Sequence, residues 1–239
     1  MYKNYFKTYK LLIFVFSISN SIIVSSAINQ TQYLVNHVVK SIKNADNKTS
    51  QLNSDILKLE GMSSDKVRHL LNNICSLKNG RYLEIGVWKG STFVSALYNN
   101  TKLLEATAID NWAQFTGPKQ EFQNNLNKFI LPSAYKFYES DCFKFDIKNI
   151  KNKINIYFYD GGHTFEEQRL AFAYYNEILE DQFIAIVDDY NWKEVQDGTQ
   201  AAFKDLGYKV LYEKFLPSSQ NMDTSTWWNG IYVAVISKK

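Results

Sequence analysis

From residue 63 onward the apolar positions follow two alternating rhythms. Val67, Leu70, Leu71, Ile74 and Leu77 recur at helical spacing behind Ser63, Ser64 and Asp65, residue types that open helices, and Asn79-Gly80 supplies a stop. Short apolar runs then alternate with amphipathic ones. Residues 82–86 (YLEIG) form the first predicted strand and 91–98 the helix after it; 104–110 (LEATAID) form the second strand. Residues 119–129 read as a helix with Phe122, Leu126 and Phe129 on one face, and 135–140 as a third strand. A fourth strand at 154–160, a helix over 165–179, a fifth strand at 183–189, a helix over 195–206 and strands at 208–215 and 231–237 complete the pattern.

Apolar strands separated by helices imply a mostly parallel sheet covered on both faces. The last two of the seven strands lack a helix between them, so an antiparallel pair is expected at one edge. The predicted class is therefore α/β, a doubly wound seven-stranded sheet with an N-terminal helical extension. In this class ligands sit at the carboxyl ends of the strands, near the switch in strand order.

Residues 28–60 are polar, rich in Asn, Lys and Ser, and read as loosely packed helix plus linker. The expected division is thus 1–27, 28–60 and a main domain over 61–239. A chain of 239 residues with ten Gly and three Pro has little material for further linkers. Its 45% hydrophobic content excludes disorder. The net charge of +3 is local: Lys3, Lys7 and Lys10 lie in a stretch without acids, and the remainder balances 24 basic against 24 acidic side chains. That balance argues against bulk nucleic-acid binding.

The basic start, the apolar run LLIFVF at 11–16 and the small residues Ser25-Ser26-Ala27 fit a signal peptide cleaved after Ala27. An uncleaved membrane anchor is the second reading, although six Ser and Asn residues interrupt 11–27 and a span needs about 20 predominantly apolar residues. The chain is expected to be exported or membrane-associated, and cytoplasmic if this segment is no signal. Cys75 and Cys142 are too few for a disulfide framework or a zinc cluster; they are either two unrelated thiols or one bridge formed after export. Sequons begin at Asn29, Asn47 and Asn99 and matter only in a eukaryotic secretory pathway.

The chemistry concentrates at strand ends. Glu84-Ile85-Gly86-Val87-Trp88-Lys89-Gly90-Ser91 places two glycines four apart, so the backbone can turn sharply, and the helix starting at Ser91 aims its amides at an anion. Neither the dinucleotide Gly-x-Gly-x-x-Gly pattern nor the Gly-Lys-Ser/Thr phosphate loop is present, which leaves a smaller anion such as an amino-acid carboxylate. Asp110 ends the second strand, where a carboxylate binds a ribose diol or caps the following turn. Asp141 follows the third strand, placed for an adenine amino group or for solvation.

With these residues the sequence resembles the class I S-adenosylmethionine-dependent methyltransferases. The resemblance spans about 60–239 and is carried by GMSSDKVRHLLNNIC (61–75), YLEIGVWKGSTF (82–93), ATAIDNW (106–112), YFYDGGHTFEEQ (157–168), IVDDYNW (186–192) and WWNGIYVAVI (227–236). The DGGHTFEE segment is similar to the Asp-Gly-Asp-His-Ser-Tyr-Glu stretch of a bacterial O-methyltransferase-like subgroup often found with sugar and polysaccharide genes. The resemblance implies that Glu84, Gly86, Gly90 and the helix start at Ser91 hold the methionine end of the cofactor, Asp110 the ribose and Asp141 the adenine.

Asp160 ends the fourth strand and Asp188-Asp189 the fifth; neighbouring strands lie about 4.8 Å apart, so the three carboxylates can converge. Mutual repulsion there is relieved by a hard divalent cation, Mg²⁺ or Ca²⁺. This resembles the metal site of catechol-type and macrolide-sugar O-methyltransferases, and it implies a catalytic role for Asp160 as ligand. The alternative is that these acids cap loops and meet backbone amides.

His163, in the Gly-Gly loop after Asp160, is the candidate general base, since an ordinary imidazole titrates near 6.5; shaping that loop is its alternative role. His69 reads as a packing or surface residue. Two departures from the family pattern stand out: Gly162 replaces its second Asp, and Glu180-Asp181-Gln182 replaces a Gly-Gly before the fifth strand. Trp227-Trp228 either wall an acceptor pocket or pack at the core's edge.

The leading expectation is methyl transfer from S-adenosylmethionine to a hydroxyl of a saccharide or other small polar acceptor, with metal assistance as an option. Two others compete. One is an exported non-catalytic binding protein on the same scaffold, because the cofactor is made in the cytosol. The other is a nicotinamide oxidoreductase, which the glycine spacing disfavours.

Overall fold

The computed structural model describes residues 30–238, so the export or anchor expectation for 1–27 and the Asn29 sequon lie outside the described residues. Helix α1 occupies residues 30–46. It is followed by α2 (Ser54–Leu57), α3 (Asp65–Cys75), β1 (Arg81–Ile85), α4 (Ser91–Leu97), β2 (Glu105–Asp110), α5 (Lys119–Phe129) and β3 (Lys136–Glu139). Then come β4 (Ile154–Tyr159), α6 (Phe165–Tyr175), β5 (Leu179–Val187), α7 (Lys193–Asp205), β6 (Lys209–Leu216) and β7 (Ile231–Ser237). Each element foreseen from residue 63 onward is present.

The seven strands run in the order β3-β2-β1-β4-β5-β7-β6. All pairs are parallel except those of β7, which lies antiparallel to both β5 and β6, as the missing helix implied. From β1 the chain winds outward through β2 and β3, then returns to place β4 on the other side of β1. The crevice of a doubly wound sheet opens at that switch.

Residues alternate between the two faces along each strand. Tyr82, Ile156 and Phe158 pack on one face with α3, α4 and α5; Leu83, Ile85, Tyr157 and Tyr159 pack on the other with α6 and α7. Cys75 belongs to the first face and Cys142 lies against the second, both as free thiols, which settles the cysteine question against a bridge. Burial pushes the Cys142 thiol up to about 12, which disfavours its thiolate.

Two expectations are corrected. Residues 30–46 are no loose extension: Leu34, Val38, Ser41 and Ala45 form a buried stripe, and His37 Nε2 meets the Ile74 carbonyl at 2.9 Å. The stripe is narrow and includes a serine and an alanine, so its apolar signal is faint. Residues 30–60 therefore pack into the same body as the main domain. The second correction concerns β5, which starts at Leu179 while α6 stops at Tyr175. Glu180-Asp181-Gln182 is strand, held by β7 through the Gln182–Ser237 pairing and the Lys238 amide on the Asp181 carbonyl.

The link between α2 and α3 is fastened by Arg68, which is 4% exposed. Its guanidinium donates to the carbonyls of Leu57 (2.9 Å) and Leu59 (2.8 Å), and its Nε to Ser63 Oγ (2.9 Å). Among the described residues no helix is long and apolar enough to cross a membrane.

Candidate active site

Adjacent strand ends are stitched by continued ladder bonds: the Asp160 amide donates to Ile85, the Asp188 amide to Tyr159 and the Ser140 amide to Asp110. The acids that close β1, β2, β4 and β5 therefore line one rim of the sheet. What separates their roles is the direction in which each carboxyl points.

The loop after β1 turns on Gly86 (φ 81°) and Gly90 (φ 82°), both in the left-handed region. A Cβ on Gly86 would overlap the Asp160 carbonyl oxygen, and one on Gly90 would stand 2.7 Å from the Phe122 ring. The two glycines are required by close approach of strand and helix.

Asp110 lies beside this loop with its carboxylate turned into it. Oδ2 accepts the amides of Val87 (2.8 Å) and Trp88 (2.9 Å), and Oδ1 accepts that of Trp112 (2.7 Å). Trp112 Nε1 closes the latch on the Trp88 carbonyl at 2.8 Å. A carboxylate offers about four acceptor positions, so the loop uses most of them.

Glu84 is fully buried behind the loop. Tyr82 Oη donates to its Oε2 and Thr92 Oγ1 to its Oε1, each at 2.5 Å. Burial pushes its carboxyl up to about 8 against the pull of these two bonds. This corrects the expectation that Glu84 faces the methionine end: its side chain supports the loop from inside. Ser91 is likewise hidden, 4% exposed, its hydroxyl filling the space that a Cβ on Gly61 would need. Asp141 is half-exposed after β3 and accepts the Phe143 amide at 2.9 Å, which with Lys144 holds its carboxyl below the ordinary range.

The remaining acids converge differently from expectation. Asp160, His163 and Asp189 each present a ligand atom within 4.8 Å of the others. His163 Nε2 meets Asp189 Oδ2 at 2.6 Å. Asp188, the third member of the predicted set Asp160, Asp188 and Asp189, is not in that group, although its carboxyl bonds to that of Asp160. Consecutive strand residues face opposite ways, and Asp189 takes a left-handed conformation (φ 56°) that swings its carboxylate towards His163. Asp188 stays 3% exposed with Oδ1 unpartnered among the described residues. Burial, and then the neighbouring carboxylates, raise the carboxyls of Asp160 and Asp188 well above the ordinary range.

Two carboxylates and an imidazole form a donor set that fits a divalent cation. The imidazole moves the preference from Mg²⁺ or Ca²⁺ towards Mn²⁺, Fe²⁺ or Zn²⁺. The same geometry without an ion is a carboxylate-oriented imidazole, whose Nδ1 can take a proton.

Sequence reasoning missed three neighbours. Trp192 lies edge-on to His163 with ring centroids 4.6 Å apart, and Asn229 Nδ2 donates to Asp189 Oδ1 at 2.6 Å. Asn229 sits in the quoted WWNGI segment, where only the tryptophans drew attention. Those belong to the core's edge: Trp227 is buried in the α3-side cluster and Trp228 packs on it. The third is Glu167, whose carboxyl fills the space that a side chain at Gly162 would need and is tied to Thr164 in a capping box.

Sheet order and rim together define the class I methyltransferase fold. Residues 83–190, from β1 to just past β5, match the methyltransferase-domain family. The fold recurs in a protein from Corynebacterium glutamicum (TM-score 0.56, 13% identity, covering 84% of this chain and 96% of that one). It recurs in the O-methyltransferase from Bacillus cereus solved with S-adenosylhomocysteine (0.55, 11%, 84% and 90%). The O-methyltransferase TomG from Streptomyces achromogenes, involved in tomaymycin synthesis and solved with S-adenosylmethionine, also shares it (0.53, 12%, 76% and 82%). A search of curated proteins finds no sequence match. Residues 83–190 thus match a methyltransferase domain, on a fold shared with O-methyltransferases solved with S-adenosylmethionine or S-adenosylhomocysteine.

Proposed function

We propose that the protein transfers the methyl group of S-adenosylmethionine to a hydroxyl of a saccharide or other small polar acceptor, with Asp160, His163 and Asp189 as the reacting centre. The observation that carries this is their convergence at the ends of β4 and β5, beside the glycine loop of β1. The cofactor supplies a methyl on a sulfonium, and a divalent cation at the Asp160–His163–Asp189 cluster would supply Lewis acidity to the acceptor hydroxyl. The loop from Gly86 to Gly90 brings backbone close to the methionine end; Asp110 and Asp141 stand on the β2–β3 side for ribose and adenine. Where no cation occupies the cluster, His163, held through Nε2 by Asp189, offers Nδ1 to the acceptor proton instead. Trp192 gives a sugar or aromatic ring a surface to stack on beside that imidazole.

One observation favours a second reading, a binding protein on this scaffold without turnover: the carboxylate of Asp110 is engaged by three loop amides. Titration of the full chain with S-adenosylhomocysteine, with and without Mn²⁺ or Mg²⁺, decides between them. Micromolar binding that Asp110→Ala abolishes supports the transferase; no binding by the wild type refutes it. The N-terminal segment adds a proposal about place, an export signal cleaved after Ala27. Amino-terminal sequencing of the mature protein tests it, and a chain still beginning at Met1 refutes cleavage.

A further inference from the structure

The loop between β6 and β7 reaches back across the end of β5. The Asn191 amide donates to the Asn229 carbonyl and the Tyr190 amide to the Gly230 carbonyl, each at 2.9 Å. Asn191 Nδ2 donates to the Ser218 carbonyl at 3.0 Å, closing the other side. At the centre of this stitching the Asn229 side chain, 7% exposed, points at Asp189. Both of its ends are specified. Nδ2 donates to Asp189 Oδ1 at 2.6 Å, and Oδ1 accepts the Met222 amide at 2.6 Å. A backbone amide only donates, so the Met222 N–H fixes which end of the Asn229 amide is oxygen and turns its N–H towards Asp189.

Asp189 needs such a hold. Its left-handed backbone (φ 56°) is uncommon for aspartate and persists only where the surroundings enforce it. With Oδ1 pinned by Asn229, Oδ2 is the oxygen left to face His163 Nε2 at 2.6 Å. We propose that Asn229 is a positioning residue: acting through Asp189, it sets the orientation of the Asp189–His163 pair and keeps both in reach of Asp160. The inference rests on the reading of these three residues as the reacting centre. It adds a fourth member that acts through Asp189.

The test uses the full chain and Mn²⁺ alone as probe, read by electron paramagnetic resonance. Partners that orient a ligand typically change metal affinity about 10- to 100-fold. Asn229→Ala is expected to weaken Mn²⁺ binding at least about tenfold. Ser219→Ala, which removes a bond to Asp223 within the same loop at 3.0 Å, leaves the affinity unchanged. Wild-type affinity in Asn229→Ala, or equal weakening in both variants, overturns the proposal, because the latter is what a merely loop-holding residue would do. A second measurement needs no metal and no Asn229 variant that folds. The side-chain amide protons of Asn229, followed by ¹H–¹⁵N spectra, are expected to exchange slowly and to lose that protection in Asp189→Ala. Exchange at the rate of a free amide in the wild type overturns the proposal. Failure of the wild type to bind Mn²⁺ sinks the metal reading, and the amide signal then decides the role of Asn229 by itself.

Discussion

Replacing Glu84 with glutamine should flatten the dependence of this protein's stability on pH. Glu84 is fully buried, and its ordinary value of 4.5 rises to about 8 because burial penalises the charged form. Between those two values the folded chain keeps the proton while the unfolded chain releases it. The unfolded state then binds fewer protons, so stability falls as pH rises through this window and is level below and above it. The gap is about three and a half pH units, which at about 1.4 kcal/mol each amounts to roughly 5 kcal/mol. That is comparable with the whole net stability of many domains, about 5–15 kcal/mol. Glutamine keeps the shape and the two hydroxyl contacts, its oxygen accepting from one of Tyr82 and Thr92 and its nitrogen donating to the other. Urea unfolding of both proteins at pH 5, 6 and 7, with equal m-values, reads the difference directly. Asp160 and Asp188 also carry raised carboxyls, with burial as the first cause and Glu84 a lesser one, so the difference reads Glu84 together with its small share of theirs. The advantage of Glu84→Gln should grow by about 1.4 kcal/mol for each pH unit across this range. Parallel pH profiles for the two proteins would show that Glu84 does not hold its proton.

Gly86→Ala places a Cβ on the Asp160 carbonyl oxygen at a positive φ, and should destabilise by at least about 2 kcal/mol; an unchanged urea midpoint would contradict the close approach of β1 and β4. Arg68→Met removes a buried guanidinium from two carbonyls and a hydroxyl and should cost about 3 kcal/mol, measurable by the same unfolding, with a loss under 0.5 kcal/mol as the contrary result. His163→Ala should lower the turnover number at least about tenfold at neutral pH, since positioned general bases contribute about 10²–10⁴-fold. A value within about threefold of wild type would remove His163 as the base.

The fold was legible from residue 63 onward because strands buried on both faces are apolar throughout and helices covering them show a single face. The bounds of α5 and β7 follow directly from their periodicity. Legibility failed where burial is achieved by small or polar residues. Helix 30–46 offers Ser41 and Ala45 to the core, and the acidic start of β5 is tied to the end of β7 through Asp181 and Gln182. In both places a distant partner supplies what local pattern lacks: Ile74 for His37, and Ser237 for Gln182.

The site shows the same division more sharply. That an acid stands at the end of each central strand is written in the sequence, since strand ends are readable. Where its carboxyl points is decided by groups far along the chain. Glu84 turns inward because Tyr82 and Thr92 donate to it, and Asp110 turns to the loop because three amides do. Asp188 and Asp189 are neighbours with the same side chain, yet one is buried beside Asp160 and the other reaches His163. The donor that separates them from each other, Asn229, lies 40 residues away in a loop that pattern reading assigns to turn and core edge. A rim of five acids on one sheet therefore becomes a support, a loop anchor and the proposed reacting centre through its partners, and substitutions of those partners should redistribute the roles without changing the fold.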